Sequence, residues 1–176
     1  MIAEGPRALL LNGTVGVGKS TIAAAVAGLL SGRGVPNAYL DMDELRRMWP
    51  APDDDPFNSA LAITNLSSLA TNFLRAGVQR LVVAGVVETE GELAGYSSAV
   101  GVPVVVCRLR VEADVLAARL EARHSDAAER GWHLRRAPEL DRILDLAHLD
   151  DHSIDVSTST VLEAAGEVLD LVGWTA

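Results

Sequence analysis

The stretch that decides the fold is Gly13-Thr14-Val15-Gly16-Val17-Gly18-Lys19-Ser20, a glycine-rich loop that ends in lysine and serine. It follows Ala8 to Leu11, a short apolar run that predicts a buried strand, and it opens Ser20 to Leu30, whose alanine and aliphatic residues predict a helix. The pattern Gly-x-x-x-x-Gly-Lys-Ser between a strand and a helix is the signature of a phosphate-binding loop. The sequence therefore predicts that the chain binds the phosphates of a nucleoside triphosphate, ATP together with Mg²⁺.

The chemistry of phosphate binding explains this spacing. Glycines let the backbone turn tightly and direct successive N–H groups at phosphate oxygens, and the helix that follows adds the positive end of its dipole. Lys19 is expected to reach the β- and γ-phosphates, and the Ser20 hydroxyl is expected to ligate Mg²⁺. Lys19 is the only lysine in the chain, which suggests that a compact ammonium is needed here. The predicted nucleotide-binding residues are Gly13, Val15, Gly16, Val17, Gly18, Lys19, Ser20 and Thr21.

Apolar strands and helical stretches alternate along the rest of the chain. Predicted strands cover 8–11, 38–40, 81–84, part of 102–109 and 154–156, and predicted helices cover 20–30, 59–75, 113–123, 139–148 and 161–172. Continuously apolar strands between helices indicate a parallel sheet covered on both faces. We therefore predict an α/β fold, a three-layer P-loop NTPase sandwich, formed by residues 1–176 as a single domain.

The net charge of the chain disfavours some classes of binding partner. The chain has 176 residues and a formal net charge of -9, so we predict that it binds neither a nucleic-acid backbone nor an anionic membrane surface. The start of the sequence lacks a basic region followed by a long apolar stretch, and no apolar run is as long as a membrane span. We predict a cytoplasmic protein. Cys107, the single cysteine, is interpreted as a buried apolar thiol.

A second signature is Asp41-Met42-Asp43-Glu44-Leu45-Arg46, at the end of the second predicted strand. A carboxylate there lies on the same edge of the sheet as the phosphate loop, where open α/β sheets bind ligands. Asp41 or Asp43 is expected to position Mg²⁺ or to orient an acceptor hydroxyl, and Arg46 to hold a polar or anionic part of the acceptor. The alternative is an aspartate helix cap followed by a solvated charged turn.

With both signatures in place, the chain resembles the small P-loop kinases of the adenylylsulfate kinase, shikimate kinase and chloramphenicol phosphotransferase type. The matching pieces are the phosphate loop, the Asp41-x-Asp43-x-x-Arg46 element, the pair Arg119 and Arg123, and the closing Ile154–Ser157 strand with its helix. The resemblance implies a nucleotide-kinase-like five-stranded parallel sheet in the order 2-3-1-4-5. It also implies transfer of the ATP γ-phosphoryl group to a small molecule.

Arginines cluster in the region that forms a lid in the similar kinases. Arg119 and Arg123 are four residues apart and so share one face of a predicted helix, and segment 124–137 carries Arg130, Arg135 and Arg136. The resemblance implies that this segment closes over ATP and brings arginines to the transferring phosphoryl group, which excludes water and neutralises charge. We predict catalytic roles for Arg119 and Arg123. The alternative is an exposed helix whose arginines pair with nearby carboxylates.

The sequence departs from the usual pattern at the end of the third strand. Many P-loop proteins place a magnesium-binding aspartate there, and this chain has Ala84. Gly85 is expected to allow close approach of the acceptor. Glu88 is expected either to supply the missing carboxylate or to cap the helix after Thr89. In the following acceptor region, the three aspartates of loop 49–57 would suit a cationic acceptor if they are more than a solvated loop.

Two functions of different classes stay open. The first is a Mg²⁺- and ATP-dependent kinase that phosphorylates a hydroxyl of a small molecule, with Lys19, Asp41, Asp43, Arg119 and Arg123 as its catalytic residues. The second is a nucleotide-binding regulatory module without an acceptor, which the missing strand-end aspartate favours. A GTPase is disfavoured because no Asn-Lys-x-Asp guanine signature occurs. Neither the acceptor nor the oligomeric state is set by the sequence, because related folds phosphorylate many compounds.

Overall fold

A computed structural model describes residues 5–123 and 125–175. Within these residues the chain forms five strands and seven helices. The strands are β1 (Arg7–Asn12), β2 (Asn37–Asp41), β3 (Arg80–Ala84), β4 (Val104–Arg110) and β5 (His152–Asp155). The helices are α1 (Lys19–Gly32), α2 (Met42–Leu45), α3 (Ser59–Arg75), α4 (Glu90–Val100), α5 (Ala113–Arg123), α6 (Ala127–Ala147) and α7 (Val161–Leu171).

The strands form one parallel sheet in the order β2-β3-β1-β4-β5. This confirms the predicted fold class and strand order. The register brings the carboxyl ends of the three central strands level, because Ala84 of β3 lies beside Leu11 of β1 and beside Asp41 of β2. The phosphate loop, the Asp41 carboxylate and the loop after β3 therefore meet at one edge of the sheet, as expected for an open α/β fold.

Two apolar clusters cover the two faces of the sheet. Leu9 and Leu11 of β1 point to the face covered by α1 and α7, and Ala8 and Leu10 point to the face covered by α3 and α4. This alternation along a strand that is apolar throughout produces the three layers. Cys107 is fully buried in the first cluster, and burial raises its pKa to about 12, which agrees with the predicted apolar thiol. In the described part of the chain, no helix is long and apolar enough to cross a membrane.

The main difference from the sequence prediction is the length of α6. We expected a polar segment up to residue 137 and a helix from Glu139, and this boundary was wrong because α6 begins at Ala127 and continues through Pro138. Asp126 caps its start by accepting a hydrogen bond from the Glu129 N–H at 2.8 Å. A proline inside a helix removes one N–H and weakens the turn before it. Contacts to the rest of the protein must therefore hold α6 in place.

A buried arginine of β4 provides the firmest of these contacts. Arg108 is almost fully buried, and its guanidinium lies 2.7 Å from Asp141 and 3.0 Å from Asp145, both on α6. The same group donates to the Asp141 carbonyl at 2.9 Å. A buried guanidinium needs such partners because its desolvation is otherwise costly. The second half of α6 is thereby fixed against the sheet.

Candidate active site

The phosphate loop is held in its shape by three glycines with positive φ. Gly13, Gly16 and Gly18 have φ values of 143°, 81° and 108°, a region that L-residues with a side chain rarely adopt. A Cβ on Gly13 would lie 2.7 Å from the Leu109 carbonyl oxygen, and one on Gly16 would lie 2.5 Å from the Leu120 side chain. The loop is thus closely packed as well as tightly turned, which explains glycine at both positions.

Asn12 connects the phosphate loop to the loop after β3. Its buried amide oxygen accepts hydrogen bonds from the N–H of Gly13 at 2.9 Å and of Val87 at 3.2 Å, and its amide nitrogen donates to the Val87 carbonyl at 3.1 Å. The start of the phosphate loop and the loop after β3 are therefore fixed relative to each other by one side chain.

Lys19 folds back over the loop. Its Nζ donates to the carbonyl oxygens of Gly13 and Thr14, both at 2.9 Å. Helix α1 starts at Lys19, its first turn contains no acidic residue, and the side chains of Ser20 and Thr21 are exposed. The ammonium, the helix N-terminus and the two hydroxyls are groups that can bind an anion, and phosphate binding by them stays a prediction.

The substitution Gly13→Ala is expected to destabilise the protein by roughly 2 kcal/mol, because a positive φ and a contact with a backbone oxygen both oppose a Cβ. We also expect nucleotide affinity to fall at least about tenfold, since the loop must shift to relieve the contact. Chemical denaturation and titration with a fluorescent ADP analogue would measure the two effects.

Gly28→Ala is the matched control. Gly28 lies inside α1, where an added Cβ meets nothing within 4 Å. Alanine favours a helix over glycine by about 0.5–1 kcal/mol, so this variant should be slightly more stable and should bind nucleotide normally. Equal nucleotide affinity in the Gly13→Ala and Gly28→Ala proteins would contradict the role given to Gly13.

A tyrosine connects the two predicted magnesium ligands. The Tyr39 hydroxyl donates to Asp41 Oδ2 at 3.0 Å, and the Ser20 side chain lies close to the same hydroxyl. Burial of the ring, followed by the nearby Asp41 charge, raises the pKa of Tyr39 to about 12, so the phenol stays protonated. Asp41 Oδ1 accepts from the Asp43 N–H at 2.9 Å and caps α2. The Asp41 carboxylate therefore caps α2 and also accepts from Tyr39, and its oxygens have lone pairs left for a cation.

Asp43 and Arg46 form an ion pair along the short helix α2, which begins directly after Asp41. Their side chains are 3.5 Å apart, and that of Asp43 is 82% exposed. Arg46 also donates to the Met42 carbonyl at 3.3 Å. The Asp43 carboxylate is thus accessible to an acceptor at the edge of the sheet, and its role as the base stays a prediction.

The loop after β3 gives Gly85 and Glu88 contacts within the chain. A Cβ on Gly85 would lie 2.9 Å from Met42 and 3.0 Å from the Tyr96 hydroxyl, so packing within the chain accounts for the glycine. Helix α4 is capped by Thr89, whose side chain accepts from the Glu92 N–H, so the capping role suggested for Glu88 was wrong. A contact of either residue with an acceptor stays a prediction.

Glu88 instead pairs with the predicted lid. Its Oε1 lies 2.7 Å from Arg136 Nη2 on α6. One residue further on, the Ala137 carbonyl accepts a 2.6 Å hydrogen bond from the Thr14 hydroxyl of the phosphate loop. Ala137 also packs with Leu116 and Leu120 in a third apolar cluster, against which Val15 lies. Segment 125–137 therefore contacts the phosphate loop directly, and its closure over a nucleotide stays a prediction.

Arg119 lies at the other side of the loop. It donates to the carbonyl of Val17 at 3.4 Å and of Val156 at 2.8 Å. Arg119, Val17 and Val156 line a cavity of about 240 Å³. Thr21, Ser159 and Val161 line the same cavity. This position favours contact with a nucleotide base, and a catalytic role for Arg119 stays a prediction. The side chain of Arg123 and the whole of His124 lie outside the described part of the structure.

Three site residues were missed from the sequence: Asn12, Tyr39 and the hydroxyl of Thr14. Tyr39 carried a usable signal, because residues i and i+2 of a strand share a face, so it lies on the side of Asp41. Asn12 is a polar residue at the end of an apolar strand, which also signals a specific partner. The partner of Thr14 lies 123 residues further along the chain, and nothing local indicates it.

Comparisons with solved structures match this architecture. The tunicamycin resistance protein of Deinococcus radiodurans has a TM-score of 0.70 and 20% identity, with 98% of each chain covered. The APS kinase of Mycobacterium tuberculosis, solved with AMPPNP and APS, has a TM-score of 0.65 and 22% identity over 96% of this chain and 98% of that one. Shikimate kinase from Acinetobacter baumannii, solved with shikimate, has a TM-score of 0.60 and 17% identity, with 96% and 93% covered.

The comparisons establish the fold. The chain has the fold of the small P-loop kinases, as its resemblance to them implied. No protein-family model matches the sequence, and no curated protein is similar to it in sequence. The activity must therefore be argued from the site.

Proposed function

We propose that the protein is a kinase that transfers the γ-phosphoryl group of ATP to a hydroxyl of a small molecule in the presence of Mg²⁺. The observation that carries this proposal is the juxtaposition of a complete phosphate loop with Asp41 through Tyr39, at the edge of the sheet where Asp43 is exposed. A nucleotide sensor would also use a carboxylate to hold Mg²⁺, so Asp41 alone does not separate the two functions. The second carboxylate, the exposed Asp43, is what transfer to an acceptor hydroxyl would use in addition.

Each group has a definite task in such a transfer. The loop amides and Lys19 bind the β- and γ-phosphates, and the cavity beside Arg119 takes the base. Ser20 and Asp41 would hold Mg²⁺, which neutralises charge on the phosphates when it is bound. Both fit this use, because the Ser20 side chain is exposed and Tyr39 orients the Asp41 carboxylate. Asp43 orients the acceptor hydroxyl and accepts its proton.

The direct test is stabilisation by ligands. Thermal unfolding would be followed with AMPPNP and Mg²⁺ alone, and then with a panel of hydroxylated metabolites and aminoglycosides. Binding to the native state raises the free energy of unfolding by mass action. We expect a rise with the nucleotide and a further rise with at least one compound, which would then be assayed with ATP for phosphorylated product by mass spectrometry.

Two results would contradict the proposal in different ways. If no nucleotide stabilises the protein, phosphate binding itself is wrong. If the nucleotide stabilises the protein but no panel member adds to its effect or is phosphorylated, the regulatory module becomes the better reading. Support for the kinase requires a phosphorylated product that disappears when Mg²⁺ is chelated.

Tyr39→Phe should weaken magnesium binding selectively. The ring is retained, and only the hydroxyl that holds Asp41 is lost. Loss of a group that orients a metal ligand typically weakens metal affinity about 10–100-fold, so we expect the Mg²⁺ concentration for half-maximal nucleotide binding to rise roughly tenfold. Nucleotide affinity in EDTA should stay the same. Both values come from titrations with a fluorescent ADP analogue.

Tyr96→Phe provides the control with the same chemical change. Tyr96 is the only other tyrosine in the chain, and its hydroxyl donates to the Val86 carbonyl at 3.4 Å. This variant should keep the Mg²⁺ dependence of the parent protein. An equal shift in both variants would show that Tyr39 has no specific part in magnesium binding.

A further inference from the structure

An open groove next to the site is lined by apolar side chains. It has a volume of about 550 Å³ and lies along the loop between α2 and α3, where Met48, Trp49, Pro56 and Phe57 line it. Trp49 is 92% exposed and Phe57 is 74% exposed. Large aromatic side chains exposed side by side mark a binding surface more often than chance, because their exposure is unfavourable without a ligand. The volume suits a small molecule.

The groove is continuous with the proposed transfer site. Arg46 lines it and is also the partner of Asp43 at 3.5 Å. A molecule in the groove would therefore place one end beside the carboxylate that we propose as the base. The apolar surface lies further out, along the loop that follows Arg46.

Asn58 gives the groove a polar base. Its amide nitrogen donates to the carbonyls of Arg46 at 2.9 Å and of Met48 at 3.0 Å. Since both partners are acceptors, the orientation of the amide is fixed. Its side-chain oxygen is buried and has no hydrogen-bond partner among the described residues, and the residue is only 6% exposed. A buried acceptor of this kind is unfavourable until a donor completes it.

The aspartates of the loop do not define the groove. Asp55 accepts from the N–H groups of Ser59 at 2.7 Å and Ala60 at 2.9 Å, so it serves the start of α3. Asp53 and Asp54 are exposed and are not among the lining residues. The charges that line the groove are those of arginines. A cationic acceptor, which the sequence suggested as one use of these aspartates, is therefore disfavoured.

We infer that the acceptor is an amphipathic molecule whose apolar ring or chain lies against Trp49 and Phe57 and whose hydroxylated end reaches Asp43. This inference rests on the proposed kinase function and specifies its substrate class. The protein would select among hydroxylated molecules by their apolar part, because the groove offers the most contact area to that part.

Pairs of probes that differ only in an apolar group would test the inference. The first pair is methyl and phenyl β-D-glucoside, and the second is 3-methoxy- and 3-phenoxy-1,2-propanediol. Dissociation constants would be measured by ligand-observed NMR with saturating AMPPNP and Mg²⁺. In the parent protein, the phenyl member of at least one pair should bind about tenfold more tightly than its partner.

Two variants assign that gain to the groove. The double variant Trp49→Ala, Phe57→Ala should lose most of the gain, and both residues are exposed, so the fold should be kept. Leu146→Ala is the control, because Leu146 is also an exposed apolar residue but does not line the groove. In a Trp132→Phe protein, the exposed tryptophan is Trp49, since Trp174 is buried. Bound phenyl probe should then reduce quenching of its fluorescence by acrylamide.

Several outcomes would overturn the inference. One is equal affinity within both pairs, and another is a gain that persists in the double variant. Sedimentation would reveal a third outcome. The parent protein would be a dimer, the double variant would be a monomer, and no phenyl gain would be seen. The groove would then be an interface between two copies. Nucleotide binding is measured in the same samples. If the parent protein binds nucleotide but shows no phenyl gain, the groove is rejected, whereas absent nucleotide binding rejects the proposed function.

Discussion

Replacing Lys19 with methionine should reduce kcat/KM for phosphoryl transfer by about a thousandfold or more and weaken nucleotide binding at least about tenfold. The ammonium already lies over the phosphate loop, on the carbonyls of Gly13 and Thr14. In the proposed transfer it would neutralise charge on the γ-phosphoryl group, and groups that stabilise such charge contribute effects of about this size. Transfer would be followed by product formation and binding by titration with a fluorescent ADP analogue.

Two control variants test whether the effect at Lys19 depends on its ammonium group or only on its positive charge. Arg75→Met removes an exposed positive charge at the end of α3 and should leave both quantities unchanged. Lys19→Arg keeps the charge but replaces a compact ammonium with a planar guanidinium, so it should also be inactive. Full activity in Lys19→Arg would show that the chain needs only a positive charge at this position.

The uniqueness of Lys19 allows a second measurement. Since the chain has no other lysine, an amine-reactive reagent can modify only Lys19 and the N-terminus. Peptide mass spectrometry should show that AMPPNP with Mg²⁺ protects Lys19 and leaves the N-terminal reaction unchanged. Modification of Lys19 at the same rate with and without nucleotide would contradict its place in the nucleotide site.

The fold could be predicted because its determinants are local. The buried run Ala8 to Leu11 leads directly into a loop whose glycines occupy the positions with positive φ. Strand periodicity, glycine positions and the lysine are all readable within 20 residues of sequence. The order of the strands was predicted from the resemblance instead, because the sequence of an apolar strand does not indicate which strands it pairs with.

Helix α6 shows where local reasoning fails. Pro138 and Gly131 weaken a helix, and the segment before Pro138 is polar, so the sequence favoured a break. The helix is sustained by tertiary contacts from distant residues, namely Arg108 of β4 and Thr14 of the phosphate loop. An arginine inside an apolar strand was the available signal, because a buried guanidinium must find carboxylates.

The acceptor side of the site was the least predictable part. The sequence places Trp49 and Phe57 in a loop, and only the structure shows that both aromatic side chains are exposed. Likewise, the three consecutive aspartates were compatible with a cationic ligand or with a solvated loop, and the sequence did not indicate that Asp55 serves the start of α3. Exposure depends on how a loop is fixed, and Asn58 fixes this one through carbonyls ten and twelve residues earlier.

Asp43→Ala should abolish transfer while nucleotide affinity stays within about twofold of the parent value. Loss of a group that positions and deprotonates a nucleophile typically costs about 10²–10⁴ in rate. The carboxylate is 82% exposed and its only close ionic partner among the described residues is Arg46, so its removal should leave the phosphate loop unchanged. The measurement is kcat with the acceptor found in the panel, beside nucleotide binding.

Glu44→Ala is the control that makes this result specific. Glu44 is the next residue of the same helix, is also exposed, and pairs with Arg47 at 3.3 Å, so the variant removes an equal charge one position away. Its turnover should stay within about twofold of the parent, since a lost surface pair contributes at most about 1 kcal/mol. Unchanged turnover in Asp43→Ala would remove Asp43 from the mechanism and make Asp41, beside Ser20, the remaining candidate for the base. A matching loss in Glu44→Ala would show that the net charge of this turn matters, and that no single carboxylate acts as the base.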